Sequence, residues 1–227
     1  MKISYLTLFP EFYESFKNTS IIKKAIDNKY VSIECINYKD FVKKGRVDDK
    51  IVGGGKGNLI RYDVASDALK SIRTSKSKVI LLTPRGQTLN QELSMKLANE
   101  EELIFLCPHF EGIDNRIDDE VDYCISIGDY ILTGGEIASI VVSDSIIRLI
   151  DGVINKESLQ EETFNNNLLE YNQYALPRSY NGKDIPDIYF SGDHKKIKQI
   201  RENESRDLTR KMRPDLYQKH LDETNKK

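Results

Sequence analysis

Histidine and cysteine are both scarce in this chain, three of each in 227 residues, and tryptophan is absent. Cys35, Cys107 and Cys124 are odd in number and lack the close repeated spacing of a disulfide framework, which points to a reducing compartment. A tetrahedral zinc site wants four ligands in paired spacings, and Cys107 with His109 has no second pair. Cys107 therefore reads as a small apolar residue closing a buried strand, and no metal site is expected from the residues.

Long apolar runs are missing too. No stretch approaches the length of a membrane span. The opening MKISYLTLFPEF loses its apolar character at Pro10 and Glu11, short of a signal-peptide core, so a cytoplasmic location is expected. The net charge of -2 argues against indiscriminate nucleic-acid binding. It is unevenly spread: Arg178 to Lys227 holds thirteen Lys and Arg against nine Asp and Glu, a basic end on an acidic body. That is a hint of a polyanionic partner, with a solvated charged helix as the alternative.

What is present is the composition of an ordinary globular protein, 39% hydrophobic and 31% charged. Short apolar runs at 3–8, 79–82 and 103–107 predict buried strands. Between them Val64, Ala65, Ala68, Leu69 and Ile72 share one helical face, and Asn90 is placed to cap a helix carrying Leu93 and Leu97. Strands alternating with helices predict an α/β domain with a mostly parallel sheet. SIGDYILTGGE, residues 126–136, predicts a fourth strand followed by a helix to about Leu149 with Ile137, Ile140, Val141 and Ile147 inward. After Asp151 a polar, asparagine-rich segment predicts an exposed linker. Asp193 is placed to cap a further helix. The expected domains are 1–154, a flexible linker at 155–175, and a small helical domain at 176–227.

Two nucleotide-binding motifs are tested and fail. Around GGGKG a phosphate loop would need glycine at 50 and Ser or Thr at 57, where Lys50 and Gly57 stand. A dinucleotide fingerprint would need a third glycine where Asn58 stands. Three strand-to-helix corners do line up, LLTPRGQ at 81–87, LCPHFEGIDNR at 106–116 and SIGDYILTGGE. Ligands of open α/β sheets bind outside the carboxyl ends of the strands, so all three face one crevice.

The ordered set LFPEF, VDDKIVGGGKGN, LTPRGQ, FEGIDNR, SIGDYILTGGE, DSIIRLIDGV and YFSGDH resembles the bacterial tRNA (guanine-N1)-methyltransferases of the knotted SPOUT class. The resemblance covers nearly the whole chain. It implies a deep trefoil knot in the parallel sheet, S-adenosylmethionine as methyl donor, and methylation of N1 of the guanine just 3′ of the anticodon, tRNA position 37. It further implies a homodimer with active sites between subunits. Magnesium enters by family analogy only. A methyltransferase of the same class acting on another RNA base, and an RNA-binding homologue with impaired cofactor use, are the rival readings.

Residue by residue, the resemblance places cofactor contacts at Pro84, Gly86, Pro108, Phe110, Ile127, Gly128, Asp129, Tyr130, Ile131, Leu132, Gly134 and Gly135. Catalytic roles fall on Glu162 as general base, on Arg148 and on Glu111, and tRNA contacts on Asp48, His109, Lys198 and Arg201. Several positions depart from the family pattern. Pro108 replaces a usual glycine and removes a backbone donor, Ala138 replaces a proline, and Glu162 in EETF replaces an aspartate. Tyr174-Ala175-Leu176-Pro177 stands where tyrosine-Thr-Arg-Pro is usual, without its arginine.

Overall fold

The computed structural model describes residues 1–155 and 162–225. Residues 156–161 of the expected linker and the last two residues of the expected C-terminal domain lie outside the described residues. By their internal contacts the residues divide into two compact units, Met1–Asn155 and Lys156–Lys227.

The first unit is built on five parallel strands in the order β2-β1-β6-β5-β7. They are β1 (Lys2–Thr7), β2 (Ser32–Asn37), β5 (Ser77–Thr88), β6 (Glu102–Leu106) and β7 (Tyr123–Ser126). Leu6, Leu106, Leu81 and Cys124 lie side by side across the sheet, so β1, β6 and β7 end near one edge, where β5 makes its 83–86 excursion. The central strands are buried on both faces, and accordingly they are the continuous apolar runs that the sequence displays. β2 escapes sequence reading because it is only half-buried and reads SIECIN, mixed in polarity. A short antiparallel pair, β3 (Asp48–Lys50) and β4 (Asn58–Ile60), encloses the glycine-rich loop.

Helices α1 (Tyr13–Lys17), α2 (Ser20–Asp27), α3 (Tyr62–Ile72), α4 (Gln91–Leu97) and α5 (Gly135–Ile147) flank this sheet. The expected face of α3 is buried through Val64, Ala65, Ala68 and Leu69. Asn90 caps α4 by accepting from the Leu93 N–H at 2.8 Å. One apolar cluster centres on Tyr5, Phe105, Leu103, Val142 and Ile146, another on Leu6, Ile60, Leu69, Ile104 and Leu106.

Two expectations are corrected. The stretch from 126 is not a strand beyond its first residue, because β7 stops at Ser126 and the chain turns at Gly128, whose φ of +148° suits only glycine. A Tyr130 N–H bond to Gly128 O at 2.9 Å closes the turn. The inward face of α5 is also different. Ile137 and Val141 are exposed and Ile140 half-buried, while Ser139, Val142, Ser143 and Ile146 join Ile147 inside. The buried serines are satisfied by tyrosines of β1 and α1: the Tyr5 hydroxyl donates to Ser143 Oγ at 2.6 Å, and the Tyr13 hydroxyl shares a hydrogen with Ser139 Oγ at 2.7 Å. Periodicity of apolar residues could not find a face that is half hydroxyl.

In the second unit α6 (His194–Met212) and α7 (Pro214–Thr224) pack on each other, beside a small hairpin of β8 (Ser179–Tyr180) and β9 (Lys183–Asp184). Asp193 caps α6 through Lys196 N–H at 3.0 Å, as expected. Leu169, inside the expected linker, is held on α6 at both ends of its peptide unit. Its N–H donates to Thr209 Oγ1 at 2.8 Å, and its carbonyl accepts from Ser205 Oγ at 2.6 Å.

Candidate active site

At the carboxyl edge of the first unit's sheet the three corners enclose a cavity of about 460 Å³. Pro84, Pro108, Phe110, Ile127, Gly128, Tyr130, Ile131, Leu132, Gly134 and Gly135 line it, with His109 and Glu111. Its size and its mixture of apolar side chains with backbone are those of a site for a nucleoside-sized ligand.

Two glycines of the corners, Gly86 and Gly135, sit hard against neighbouring segments. Gly86 and Asp129 do not line the cavity. A Cβ at Gly86 would lie 2.5 Å from Cys124 C and Ile125 N, so only glycine lets β5 lie this close to the backbone of β7. Ile125 takes two partners in β5, Leu82 before the 83–86 excursion and Gln87 after it. At Gly135 a Cβ would meet the Pro108 ring at 2.6 Å and Cys107 Cα at 2.9 Å. The bare backbone brings the corners together, and the cavity is what remains between them.

Pro108 fits this packing. It has no N–H to offer a ligand, but its carbonyl accepts from Gly135 N–H at 2.7 Å, tying the second corner to the start of α5. Phe110 follows with φ of +58°, a conformation uncommon for a bulky residue and typical of places where surroundings hold the chain against local preference. The residue is 48% exposed and forms part of the cavity wall.

Asp48 is buried, and both carboxylate oxygens are engaged. Arg46 Nε and Nη2 donate at 3.1 Å each, and Asn58 Nδ2 donates from β4. The Arg46 guanidinium holds this carboxyl below the usual carboxylate range, with help from Asn58 and against the cost of burial. The group turned to solvent here is Arg46, whose side chain is 74% exposed. Sequence reading passed over it, although the i,i+2 spacing to Asp48 in an extended segment puts both on one face. Asn58 O in turn accepts from Glu111 N–H at 3.0 Å, so this hairpin abuts the cavity wall.

Arg148 caps the C-terminal end of α5, half-buried. Glu162 lies in the second unit, where with Lys198, Arg201, His194 and Tyr171 it lines a groove of about 440 Å³. Lys198 is exposed. Arg201 is not a freely extended cation: its guanidinium stacks over Tyr171 at 4.5 Å and approaches Tyr189 at 5.8 Å. The expected cofactor residues, Arg148 and Glu111 thus belong to one unit, and Glu162, Lys198 and Arg201 to the other. Among the described residues no group of three or more His, Cys, Asp or Glu side chains is placed to hold a metal ion, and no helix is long and apolar enough to cross a membrane.

The chain as a whole is similar to known proteins. A family model described as tRNA (guanine-1)-methyltransferase TrmD matches residues 1–219. The chain belongs to that family. Among similar proteins, a tRNA (guanine-N(1)-)-methyltransferase of Malacoplasma penetrans is 48% identical over 98% of this chain and the whole of its own. Proteins of that name from Ureaplasma urealyticum, 47% identical over 97% of this chain and 98% of its own, and from Clostridium botulinum, 47% identical over all of this chain and 96% of its own, extend the similarity. The departures at 108 and 162 thus both fall within the residues that the family model matches.

Proposed function

We propose that this protein transfers a methyl group from S-adenosylmethionine to N1 of the guanine just 3′ of the anticodon, position 37 of tRNA. The observation that carries the reading is the cavity walled by all three corner motifs in a chain belonging to this family. Its volume and lining fit the cofactor: apolar side chains of Ile127, Ile131 and Leu132 suit an adenine ring, and Gly128, Gly134 and Gly135 leave bare backbone in the wall without side-chain obstruction. Bound S-adenosylmethionine supplies an electrophilic methyl group on a sulfonium.

The chain must supply the rest. Neutral guanine carries a proton on N1, which a base has to remove as the nitrogen attacks, while negative charge moves toward O6. Glu162 is the base in this reading, and Arg148 stabilises the charge at O6. Glu111, exposed beside the cavity, orients the target ring. Lys198 and its basic neighbours on α6 hold tRNA phosphates, contacts that need charge more than sequence.

The working form in this reading is a homodimer, with cofactor bound in the knotted first unit and the partner's second unit carrying tRNA and base. α5 supports it, being apolar around most of its circumference, with Ile137 46% and Val141 43% exposed on the protomer. Such a helix ordinarily has all its faces covered, and a two-fold pairing is the commonest way.

The test is mass mapping of tRNA transcripts after incubation with the protein and S-adenosylmethionine. N1-methylguanosine next to the anticodon is expected. Methylation of a different base, or RNA binding with no methylation, would establish one of the rival readings instead.

A further inference from the structure

Behind the cavity wall a buried acid and a histidine face each other across a glycine. Glu136, in the first turn of α5, is 3% exposed. Its Oε1 accepts from Thr7 Oγ1 at 2.8 Å, at the end of β1. Its Oε2 lies 3.8 Å from His109 Nδ1, which is itself buried and has no hydrogen-bond partner. A buried, unpaired nitrogen so close to an acceptor is costly, and one hydrogen bond between the two groups satisfies both.

Gly134 is what lets them approach. A Cβ there would stand 2.4 Å from Glu136 Oε2 and 2.6 Å from His109 Nδ1. His109 and Gly134 are also paired through their backbones in an isolated antiparallel bridge. The imidazole is fixed from other sides by edge contacts with Phe9 at 4.8 Å and Phe110 at 5.0 Å between ring centres. The titratable groups packed around the pair are Cys107 and Tyr38, both within electrostatic reach of Glu136, with Lys39 further out over the Phe9 ring.

We propose that Glu136 is a positioning residue that accepts the Nδ1–H of His109, closing the 3.8 Å gap and locking the 108–110 corner against 134–135. The hydrogen bond fixes the ring's tautomer, leaves Nε2 without the proton, and ties three segments together: the end of β1 through Thr7, the second corner through His109 and the third through Glu136. The cavity wall formed by Pro108 and Phe110 is thereby set at the distance the ligand needs. This rests on the methyl-transfer reading only for the identity of that ligand.

The experiment uses the full-length chain and has two readouts. The first is nitrogen NMR of labelled histidine at a pH where the imidazoles are neutral by titration. With three histidines in the chain, assignment needs only the His109→Asn variant. The Nδ1–H tautomer is expected for His109 in the wild type, shifting toward Nε2–H in Glu136→Gln.

The second readout is calorimetric affinity for S-adenosylmethionine. An asparagine amide nitrogen occupies the place of Nδ1, so His109→Asn should stay within a few-fold of wild type. Losing the donor leaves a buried acceptor unpaired, so His109→Leu should weaken binding roughly tenfold to a hundredfold. An Nε2–H tautomer in the wild type, or equal losses for the asparagine and leucine variants, would overturn the proposal. A wild type that shows the Nδ1–H tautomer yet binds no S-adenosylmethionine would uphold the pair and overturn the methyl-transfer reading instead.

Discussion

Replacing Gly86 by alanine adds one methyl group at a point where the added atom has nowhere to go. Its Cβ would stand 2.5 Å from the Cys124 carbonyl carbon and the Ile125 nitrogen, and 2.6 Å from Cys124 O. Ordinary contact begins near 3.4 Å, so β5 and β7 must part by about 1 Å. The obstacle is backbone inside a sheet, held by the pairings of Ile125 with Leu82 and Gln87, and no side chain can swing aside. Overpacking of this kind costs about 1–3 kcal/mol, and with a rigid obstacle the upper end applies. For a chain of this size that is a loss of about 6–12 °C in Tm.

The displacement also propagates, since β7 runs directly into Ser126, Ile127 and Gly128 of the cavity wall. Scanning calorimetry, alone and with S-adenosylmethionine, is the assay. Gly53→Ala is the useful contrast, because nothing lies within 4 Å of a Cβ there and its cost is confined to a φ of +88°. A Gly86→Ala protein with Tm within about 2 °C of wild type and unchanged cofactor affinity would refute the claim that this glycine is needed for the close approach of two backbones.

Gly128→Val should abolish S-adenosylmethionine binding while leaving the fold intact, since the loop lies outside the strands and a Cβ there would displace the Tyr130 ring from 2.5 Å; calorimetric titration measures it. Glu162→Gln should lose nearly all methyl transfer with tRNA and cofactor binding retained, and Glu162→Asp should be slower than wild type, because misplacing a base by about 1 Å costs on the order of a hundredfold. Single-turnover methylation across pH decides, and a fully active glutamine variant would shift the role to Glu111. Lys198→Ala should lower the salt slope of tRNA binding by about one. Arg201→Ala should instead lower the denaturant midpoint of the second unit, through loss of its stacking on Tyr171. Burial pushes the Cys107 thiol up to about 12, so it should resist alkylation in the native state and react on unfolding. A raised folded pKa means that its contribution to stability is present below the ordinary thiol range and fades as pH climbs toward about 12, readable in denaturant midpoints at alkaline pH.

How much was legible in the sequence depended on the range of the forces involved. β1, β5 and β6 are continuous apolar runs because parallel strands are covered on both faces, and the caps at Asn90 and Asp193 are local hydrogen bonds three residues long; both kinds of feature are written in neighbouring residues. The corner motifs and their order sufficed to place the cavity at the carboxyl edge of the sheet. Only the tertiary structure decided which face of α5 is inside, because its serines are made compatible with burial by the hydroxyls of Tyr5 and Tyr13, more than a hundred residues away. It likewise turned Asp48 inward onto Arg46 and Asn58, and stacked Arg201 on Tyr171. The glycines show the division most plainly. Their positions are readable as motif, but a missing side chain records nothing of its surroundings. That Gly86 faces the backbone of β7, Gly135 the Pro108 ring, and Gly134 the His109 imidazole is fixed by atoms distant in the chain, through steric exclusion acting over less than 3 Å.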